Sequence, residues 1–306
     1  MIASRLGKLL QKFLSRRRFD VASRERQRKV VPASTEQNPL IVAVRQIDSA
    51  GAFFDKAAKI VPHANINQAA LDYLFSKRIR RDISKPAWEA SVRRASALYS
   101  IMCEARQTLP WKNLLELEDG DELFNSLVEA GTVLRGTLLL MFHGGFSPAA
   151  SQLFARCCKE GVVVGEAYIR DNSRGRTFAA LNALRRGGTV LMSPDGLRGR
   201  QSAEFRVLDV TAPGGAGAAF LAHATGCRTA WYTAVQKGAR FAPFLEYGPI
   251  ACAGENLAEF SERLYRFYAR KIEENFSGDP NNIVVSGGWA KRFALAAQRR
   301  ALENLE

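Results

Sequence analysis

The stretch Leu138-Leu-Leu-Met-Phe-His143-Gly-Gly145 places a histidine and two glycines directly after a run of apolar residues. A short apolar run that is bounded by small residues is typical of a buried β-strand. Glycine supports the tight turn that must follow, because it adopts backbone angles that other residues avoid. The pattern therefore predicts a strand that carries an imidazole to a turn at its carboxyl end.

A second stretch, later in the chain, has the same arrangement. Thr189–Met192 predicts a strand, and Ser193-Pro194-Asp195-Gly196 follows it directly. Ligands of open α/β sheets bind at the carboxyl ends of the strands, and a histidine there can act as a general base near neutral pH. A loop histidine without a task and an ordinary turn aspartate before glycine are the alternatives. Together, the two positions make His143 and Asp195 candidate catalytic residues.

Strands and helices alternate around these two stretches. The predicted strands are 138–142, 162–169, 189–192, 229–234 and 240–246. The predicted helices are 121–131, 148–159, 177–186, 216–225 and 256–275, and the stretch 67–107 is predicted to be helical with a new helix starting at Pro86. This alternation predicts an α/β fold with a central mixed, mostly parallel sheet flanked by helices, and with a helical N-terminal part.

The same reading divides the chain into five parts. They are a basic amphipathic helix over 1–18, a linker over 19–38, a mainly helical part over 39–131, an α/β core over 132–295 and a C-terminal tail over 296–306. The first part has an apolar stripe and a face of lysines and arginines, so it can lie in the headgroup layer of an anionic membrane. Docking on the protein's own core is the alternative. No run of about 18 apolar residues occurs, so no membrane-spanning helix is expected.

The composition limits the partners and cofactors of the chain. Its 44 lysines and arginines exceed its 30 acidic residues, giving a formal net charge of +14. This charge favours acidic partners such as anionic lipid, an acidic carrier protein or nucleic acid. Nucleic acid is the weakest of the three, because the basic residues lack interleaved aromatic residues and any recognisable binding module. The five cysteines form no CxxC pair, so neither a disulfide scaffold nor a zinc site is expected.

Several stretches in a fixed order resemble the lysophospholipid acyltransferase superfamily, and most closely its bacterial lipid A late acyltransferases, which transfer lauroyl or myristoyl chains. The stretches are Leu138–Phe146, Val190–Asp195, Phe205 with Gly214–Ala222 and Thr225-Gly226, and Pro280–Arg292. The resemblance runs from about Arg93 to Phe293 and implies the glycerolphosphate acyltransferase-like fold.

The resemblance also implies an activity. In that family a histidine accepts the proton of an acceptor hydroxyl, and the oxygen attacks an acyl thioester on acyl carrier protein or coenzyme A. For this chain it implies His143 as the base and an amphipathic lipid acceptor, such as lipid A or another glycolipid. It further implies a peripheral enzyme at the cytoplasmic face of the bacterial inner membrane, without a cofactor or a metal.

One position departs from the family pattern. An acidic residue five positions after the histidine orients the imidazole in that family, and Pro148 stands there in this chain. Asp195 or Glu166 could reach the ring from a neighbouring strand, Ser147 could hydrogen-bond it weakly, or the substrate could supply the missing group. The geometry of a sheet favours Asp195. The departure also motivates an alternative function, a catalytically inactive homologue that binds lipid or a partner protein.

The substrate-binding residues are expected on either side of the histidine. The family places a basic residue between the histidine and the Pro-Asp stretch, and here Arg170 or Arg174 fits that role, since arginine makes paired hydrogen bonds to phosphate. A solvated loop is the alternative for either arginine. Gly144, Gly145 and Ser147 in the turn after the histidine complete the expected substrate-binding set.

Two further features carry no chemistry in this interpretation. Pro213-Gly-Gly-Ala-Gly217 matches neither GxGxxG nor GxxxxGK[ST], so it predicts a glycine turn that opens a helix. His223 lies inside that predicted helix, where a core or interface histidine is the better account.

Overall fold

The computed structural model describes nine stretches of the chain. They are 66–79, 81–104, 106–107, 109–133, 136–159, 161–164, 173–195, 201–285 and 287–303. All of them belong to one compact unit, Leu40–Glu306. The predicted N-terminal helix over 1–18 and the linker over 19–38 lie outside the described residues. Within the described stretches, no helix has the length and hydropathy that crossing a bilayer requires.

Helices and strands alternate as an α/β fold requires. The helices are α1 (Gln68–Lys77), α2 (Lys85–Glu104), α3 (Trp111–Leu114), α4 (Leu117–Val133), α5 (Ser147–Cys157), α6 (Ser173–Arg185), α7 (Gly217–Thr225), α8 (Leu257–Ser277) and α9 (Gly287–Glu303). The strands are β1 (Thr137–Leu140), β2 (Val162–Val164), β3 (Thr189–Met192), β4 (Gln201–Val207), β5 (Val210–Gly215), β6 (Arg228–Lys237) and β7 (Arg240–Tyr247).

The main sheet has five strands in the order β2-β3-β1-β6-β7. Strands β2, β3, β1 and β6 are parallel, and β7 pairs antiparallel with β6. Thr137 to Leu140 of β1 lie in register with Thr189 to Met192 of β3. The predicted mixed, mostly parallel sheet flanked by helices is therefore present, and β1 and β3 end side by side.

The connections that leave β1 and β3 run on opposite faces of this sheet. After β1 the chain passes through α5, whose buried residues pack with α2, α3 and α4. After β3 it passes through the β4–β5 hairpin and α7, which pack with α1, α8 and α9 on the other face. Adjacent strands whose connections diverge in this way leave a crevice between their carboxyl ends, and such crevices hold the ligands of doubly wound sheets.

The side chains of β1 and of the two residues after it alternate between these two layers. Leu138, Leu140 and Phe142 belong to the core cluster that contains α8 and α9. Leu139 and Met141 belong to the cluster that contains α2 and α5. Both faces of β1 are thus buried, which explains why its sequence reads as a continuous apolar run.

The β4–β5 hairpin was not predicted from the sequence. Its two-residue turn uses Leu208 and Asp209, which adopt φ values of 48° and 68° without glycine. The Leu208 carbonyl accepts a hydrogen bond from the Tyr73 hydroxyl, and its N–H donates to Glu273. Pro213-Gly-Gly, read as a turn, ends β5 instead, while Gly217 does open helix α7.

Helix α9 crosses the predicted boundary between core and tail at residue 295. Trp289 and Phe293 are buried in its first half. Arg300 in its second half forms an ion pair with Asp209 of the hairpin turn, with 2.8 Å between Nη2 and Oδ2. These contacts explain why the helix continues to Glu303.

Candidate active site

Two glycines let the chain turn sharply after β1. A Cβ atom on Gly144 would lie 2.2 Å from the Phe142 ring, so no larger residue fits there without a shift. Gly145 has a φ of +52°, in the left-handed region that glycine tolerates best. Phe142 itself is fixed by stacking on Trp231, with 5.2 Å between ring centroids. The turn therefore holds His143 directly above the carboxyl end of β1.

Asp195 clamps His143 at two points. One carboxylate oxygen, Oδ1, lies 3.0 Å from the Nδ1 atom of the ring, and the other, Oδ2, accepts the backbone N–H of His143 at 2.9 Å. An ionised carboxylate can only accept hydrogen bonds, so Nδ1 carries the proton in this contact and the lone pair of the neutral ring sits on Nε2. The structure thus brings the two candidate residues together in the arrangement of a base and its orienting acid.

Burial differs sharply between the two partners. The Asp195 side chain is 3% exposed, while the His143 side chain is 52% exposed. The carboxylate is therefore held inside the protein, and the imidazole reaches the surface above it. A substrate can approach the free nitrogen of the ring without displacing the aspartate.

Two aromatic residues complete the environment of the carboxylate. The Tyr268 hydroxyl on α8 lies 3.0 Å from Asp195 Oδ1 and 3.0 Å from the Met141 carbonyl oxygen, so its single proton is shared between two acceptors. The Trp289 indole on α9 donates to Asp195 Oδ2 at 3.3 Å. Donors from the turn after β1, from α8 and from α9 thus surround one buried charge, as such a charge requires.

The interactions of the pair shift both pKa values toward the charged forms. The hydrogen bond to Asp195 raises the pKa of His143, and partial burial opposes this rise only in part. Burial acts to raise the pKa of Asp195, but the hydrogen bonds and charge of His143 and the Tyr268 hydroxyl outweigh it, so this pKa is lowered. Burial also raises the pKa of Tyr268 well above its usual value, which keeps the phenol protonated as a donor.

Sequence reasoning missed Tyr268 and Trp289. Trp289 lay in the stretch that carried the family resemblance, but nothing there linked it to Asp195. Tyr268 lies among Tyr265 and Phe267 on an amphipathic helix, where an aromatic residue reads as core. The useful signal was that a buried aspartate needs hydrogen-bond donors. Which residues supply them depends on how the helices pack against Asp195.

The remaining predicted residues have varied positions. Ser147 is the first residue of α5 and Pro148 the second, and both are buried. Proline fits there because the first turn of a helix needs no backbone N–H donor. Arg174 lies in the first turn of α6, and its side chain is outside the described residues, as are Arg170 and Glu166 entirely.

His223 has a different environment from His143. Its Nε2 lies 2.8 Å from the Glu255 carbonyl oxygen, and its ring packs near Phe260. This contact links the end of α7 to the loop before α8. It matches the structural role expected for this histidine, and it provides a matched control for experiments on His143.

A cleft of about 280 Å³ lies along α8 and is lined by Pro249, Arg263, Arg266, Phe267 and Arg270. None of these residues belongs to the cluster around Asp195. Arg263 and Arg266 each form an ion pair with a neighbouring glutamate. The arginines of this cleft are thus occupied within the protein.

No protein-family model matches the chain, and neither does any curated protein. The class of the protein is therefore argued from the fold and the site. A half-exposed imidazole oriented by a buried carboxylate, at the carboxyl ends of two neighbouring parallel strands, is suited to general-base chemistry on a hydroxyl or amine.

Proposed function

We propose that the chain is an acyltransferase of the glycerolphosphate acyltransferase-like fold. It moves a fatty acyl chain from an acyl thioester, on acyl carrier protein or coenzyme A, to an amphipathic acceptor such as lipid A or another glycolipid. The reaction takes place at the cytoplasmic face of the bacterial inner membrane. The observation that carries this proposal is the 3.0 Å contact between Asp195 Oδ1 and His143 Nδ1, with the imidazole half exposed above it.

The contact supplies the orienting acid that Pro148 cannot provide. In the resembled family the orienting acid stands five positions after the histidine, whereas here Asp195 comes from the end of the adjacent strand. Its contact with Nδ1 leaves the lone pair of the neutral ring on Nε2. This contact supports an active site in spite of the departure at position 148.

The proposed reaction proceeds in two steps. Nε2 of neutral His143 takes the proton of the acceptor hydroxyl or amine while that atom attacks the thioester carbon. The tetrahedral intermediate then collapses, the carbon–sulfur bond breaks, and the imidazolium returns the proton to the leaving sulfur. Asp195 stabilises the imidazolium between the two steps, because a buried carboxylate interacts strongly with a neighbouring cation.

Helix α5 stabilises the negative charge that develops on the substrate. It begins at Ser147, directly after the glycine turn. The N-terminus of a helix carries a partial positive charge and favours a nearby anion. In the proposed reaction this end stabilises the negative oxygen of the intermediate, which is the substrate-binding role predicted for Gly144, Gly145 and Ser147.

Transfer of a labelled acyl chain tests this function. Purified full-length protein is incubated with a membrane lipid extract and with acyl carrier protein or coenzyme A that carries a radiolabelled acyl chain, and the labelled lipid product is separated. His143→Ala should lose at least 100-fold in rate, because general-base catalysis contributes about 10²–10⁴. His223→Ala, the matched histidine control, should retain the rate. Equal rates in both variants would refute His143 as the base.

The departure at Pro148 favours a second candidate, a catalytically inactive homologue that binds lipid or a partner protein. Two results together would support it. The wild-type protein would bind acyl carrier protein or lipid and form no product, and Pro148→Asp or Pro148→Glu would then create turnover. Product formation by the wild-type chain excludes this alternative.

A further inference from the structure

The outer face of α9 exposes large apolar residues. Leu295 and Leu302 are 56% and 65% exposed, and they are seven residues apart, which places them on the same side of a helix. Trp289, Phe293 and Ala294 on the other side are buried. The inner face of α9 therefore packs on the core, and its outer face also exposes apolar side chains, the two leucines.

Cations flank the two leucines. Lys291 and Arg299 are exposed on the same side, four residues from Leu295 in either direction. The sequence of α9 contains Lys291, Arg292, Arg299 and Arg300 against the single acid Glu303. We call the exposed set Lys291, Leu295, Arg299 and Leu302 the α9 face.

The cations of the α9 face are not neutralised within the described part of the chain. Arg300 pairs with Asp209, but neither Lys291 nor Arg299 forms an ion pair with a described carboxylate. Helix α8 differs, because the charges on its arginines and its lysine are matched by glutamates. The matched residues are Arg263 with Glu255, Arg266 with Glu262, Arg270 with Glu246 and Glu274, and Lys271 with Glu246 and Glu274.

The first turn of the same helix contacts the candidate active site. The Trp289 indole donates to Asp195 Oδ2 at 3.3 Å, and Phe293 stacks on Trp289 with 5.9 Å between ring centroids. The exposed face and the contact to Asp195 thus belong to one packed helix. A surface that binds this face is held at a fixed position relative to His143.

We infer that the α9 face docks on an anionic lipid bilayer. Exposed leucines beside lysine and arginine match the chemistry of an interfacial helix, in which apolar side chains enter the headgroup boundary and cations meet acidic lipids. Nucleic acid would use the cations but not the leucines, and the face has no aromatic residue for stacking on bases. The docking itself is argued from the α9 face alone. Its purpose, which is to present the His143–Asp195 pair to an acceptor in the membrane, rests on the proposed function.

Vesicle binding by the full-length chain tests the docking. Co-sedimentation is measured with vesicles of phosphatidylglycerol and phosphatidylcholine, and with phosphatidylcholine alone. Lys291→Gln with Arg299→Gln should weaken binding to the anionic vesicles roughly 30-fold, because each cation near such a surface contributes about 1 kcal/mol. Leu295→Asn with Leu302→Asn should weaken it roughly tenfold.

A matched pair on the other side of the sheet serves as control. Val128 is 52% exposed on α4, and Arg156 is exposed on α5. Val128→Asn with Arg156→Gln removes one apolar group and one charge there and should bind like the wild type. All variants retain the N-terminal 1–18 segment, so its own contribution to binding is constant, and circular dichroism checks their folding.

The outcomes separate this inference from the proposed function. If the α9-face variants bind vesicles like the wild type, the docking is refuted, even when His143→Ala has lost acyl transfer. If they lose binding to acyl carrier protein or RNA but not to vesicles, the face serves an acidic macromolecule and the lipid inference fails. Loss of vesicle binding supports the docking even if the wild type transfers no acyl chain, and His143→Ala should bind vesicles normally.

Discussion

At the scale of single residues, Asp195 is the centre of the candidate site. Its two oxygens accept from the backbone and ring of His143, from Tyr268 and from Trp289. A buried carboxylate with several donors remains ionised, because the hydrogen bonds replace the water that it has lost. This arrangement fixes the histidine ring in one orientation and supports its protonated form.

The pH dependence of the reaction should show the effect of Asp195 on the pKa of His143. The base is neutral imidazole, and Asp195 raises the pKa of His143. The rate of the wild type should therefore rise with pH as His143 loses its proton. The midpoint of this rise should lie above the ordinary pKa of histidine. Asp195→Asn removes the cause of the raised pKa, so the acidic limb of the kcat/KM profile should move to lower pH.

The same variant should also lower the plateau rate by about 10²–10⁴, because an amide no longer stabilises the imidazolium or fixes the tautomer. Asp119→Asn, which changes an exposed carboxylate paired with Lys237, provides the control. The chain has only three histidines, so nuclear magnetic resonance can follow the His143 titration directly. An acidic limb that stays at the wild-type pH would contradict the role of Asp195.

Tyr268 should act through Asp195 as a positioning residue. Tyr268→Phe keeps the packed ring but removes a hydrogen bond to a charged group, which is worth about 1.5–3 kcal/mol. We expect kcat to fall at least tenfold with little change in KM. Tyr265→Phe is the control, because its hydroxyl bonds to the Gly215 carbonyl oxygen. A change in KM alone would point to substrate binding instead.

At the scale of elements, the sequence predicted those strands and turns that a short stretch of residues determines by itself. Apolar runs that end in polar residues predicted β1 and β3, and parallel strands bring such ends together, so His143 and Asp195 could be paired without coordinates. Tyr268 and Trp289 could not, because they reach Asp195 across 73 and 94 residues of chain. The turn of the β4–β5 hairpin escaped prediction for another reason, since Leu208 and Asp209 occupy positions where Asn-Gly is usual.

The ion pairs of the hairpin turn and its backbone strain should make separate contributions to the free energy of unfolding. Asp209 has a φ of 68° and pairs with Lys77, Arg206 and Arg300. All of these groups are partly exposed to solvent, so Asp209→Gly should cost only about 1 kcal/mol, since glycine loses the ion pairs but tolerates the angle. Asp209→Ala should cost about 1 kcal/mol more, because alanine retains the strain.

Urea denaturation at low and high salt measures both effects. High salt should reduce the difference between the wild type and either variant, because it screens the ion pairs. It should leave the difference between the alanine and glycine variants unchanged. Equal stability of these two variants would show that the turn relaxes and stores no strain.

At the scale of the whole molecule, the sheet separates two apolar layers of unequal importance for the site. Phe276 lies in the layer with α8 and α9 and contacts Phe142, Trp289 and Phe293. Phe124 lies in the other layer and contacts Phe154 and Tyr232. Both side chains are fully buried. Among the described residues of the two layers, the aromatic donors of Asp195, Tyr268 and Trp289, belong to the first layer.

Removal of either phenylalanine should therefore destabilise the fold similarly but affect catalysis differently. Phe276→Ala and Phe124→Ala should each lower the free energy of unfolding by about 3–5 kcal/mol, from lost burial and the cavity left behind. In Phe276→Ala, Trp289 loses a packing partner, so its bond to Asp195 should weaken. At a temperature where both variants remain folded by circular dichroism, Phe276→Ala should lower acyl transfer per folded molecule while Phe124→Ala retains it. Equal transfer by the two variants would mean that the core behind Trp289 does not hold the site in place.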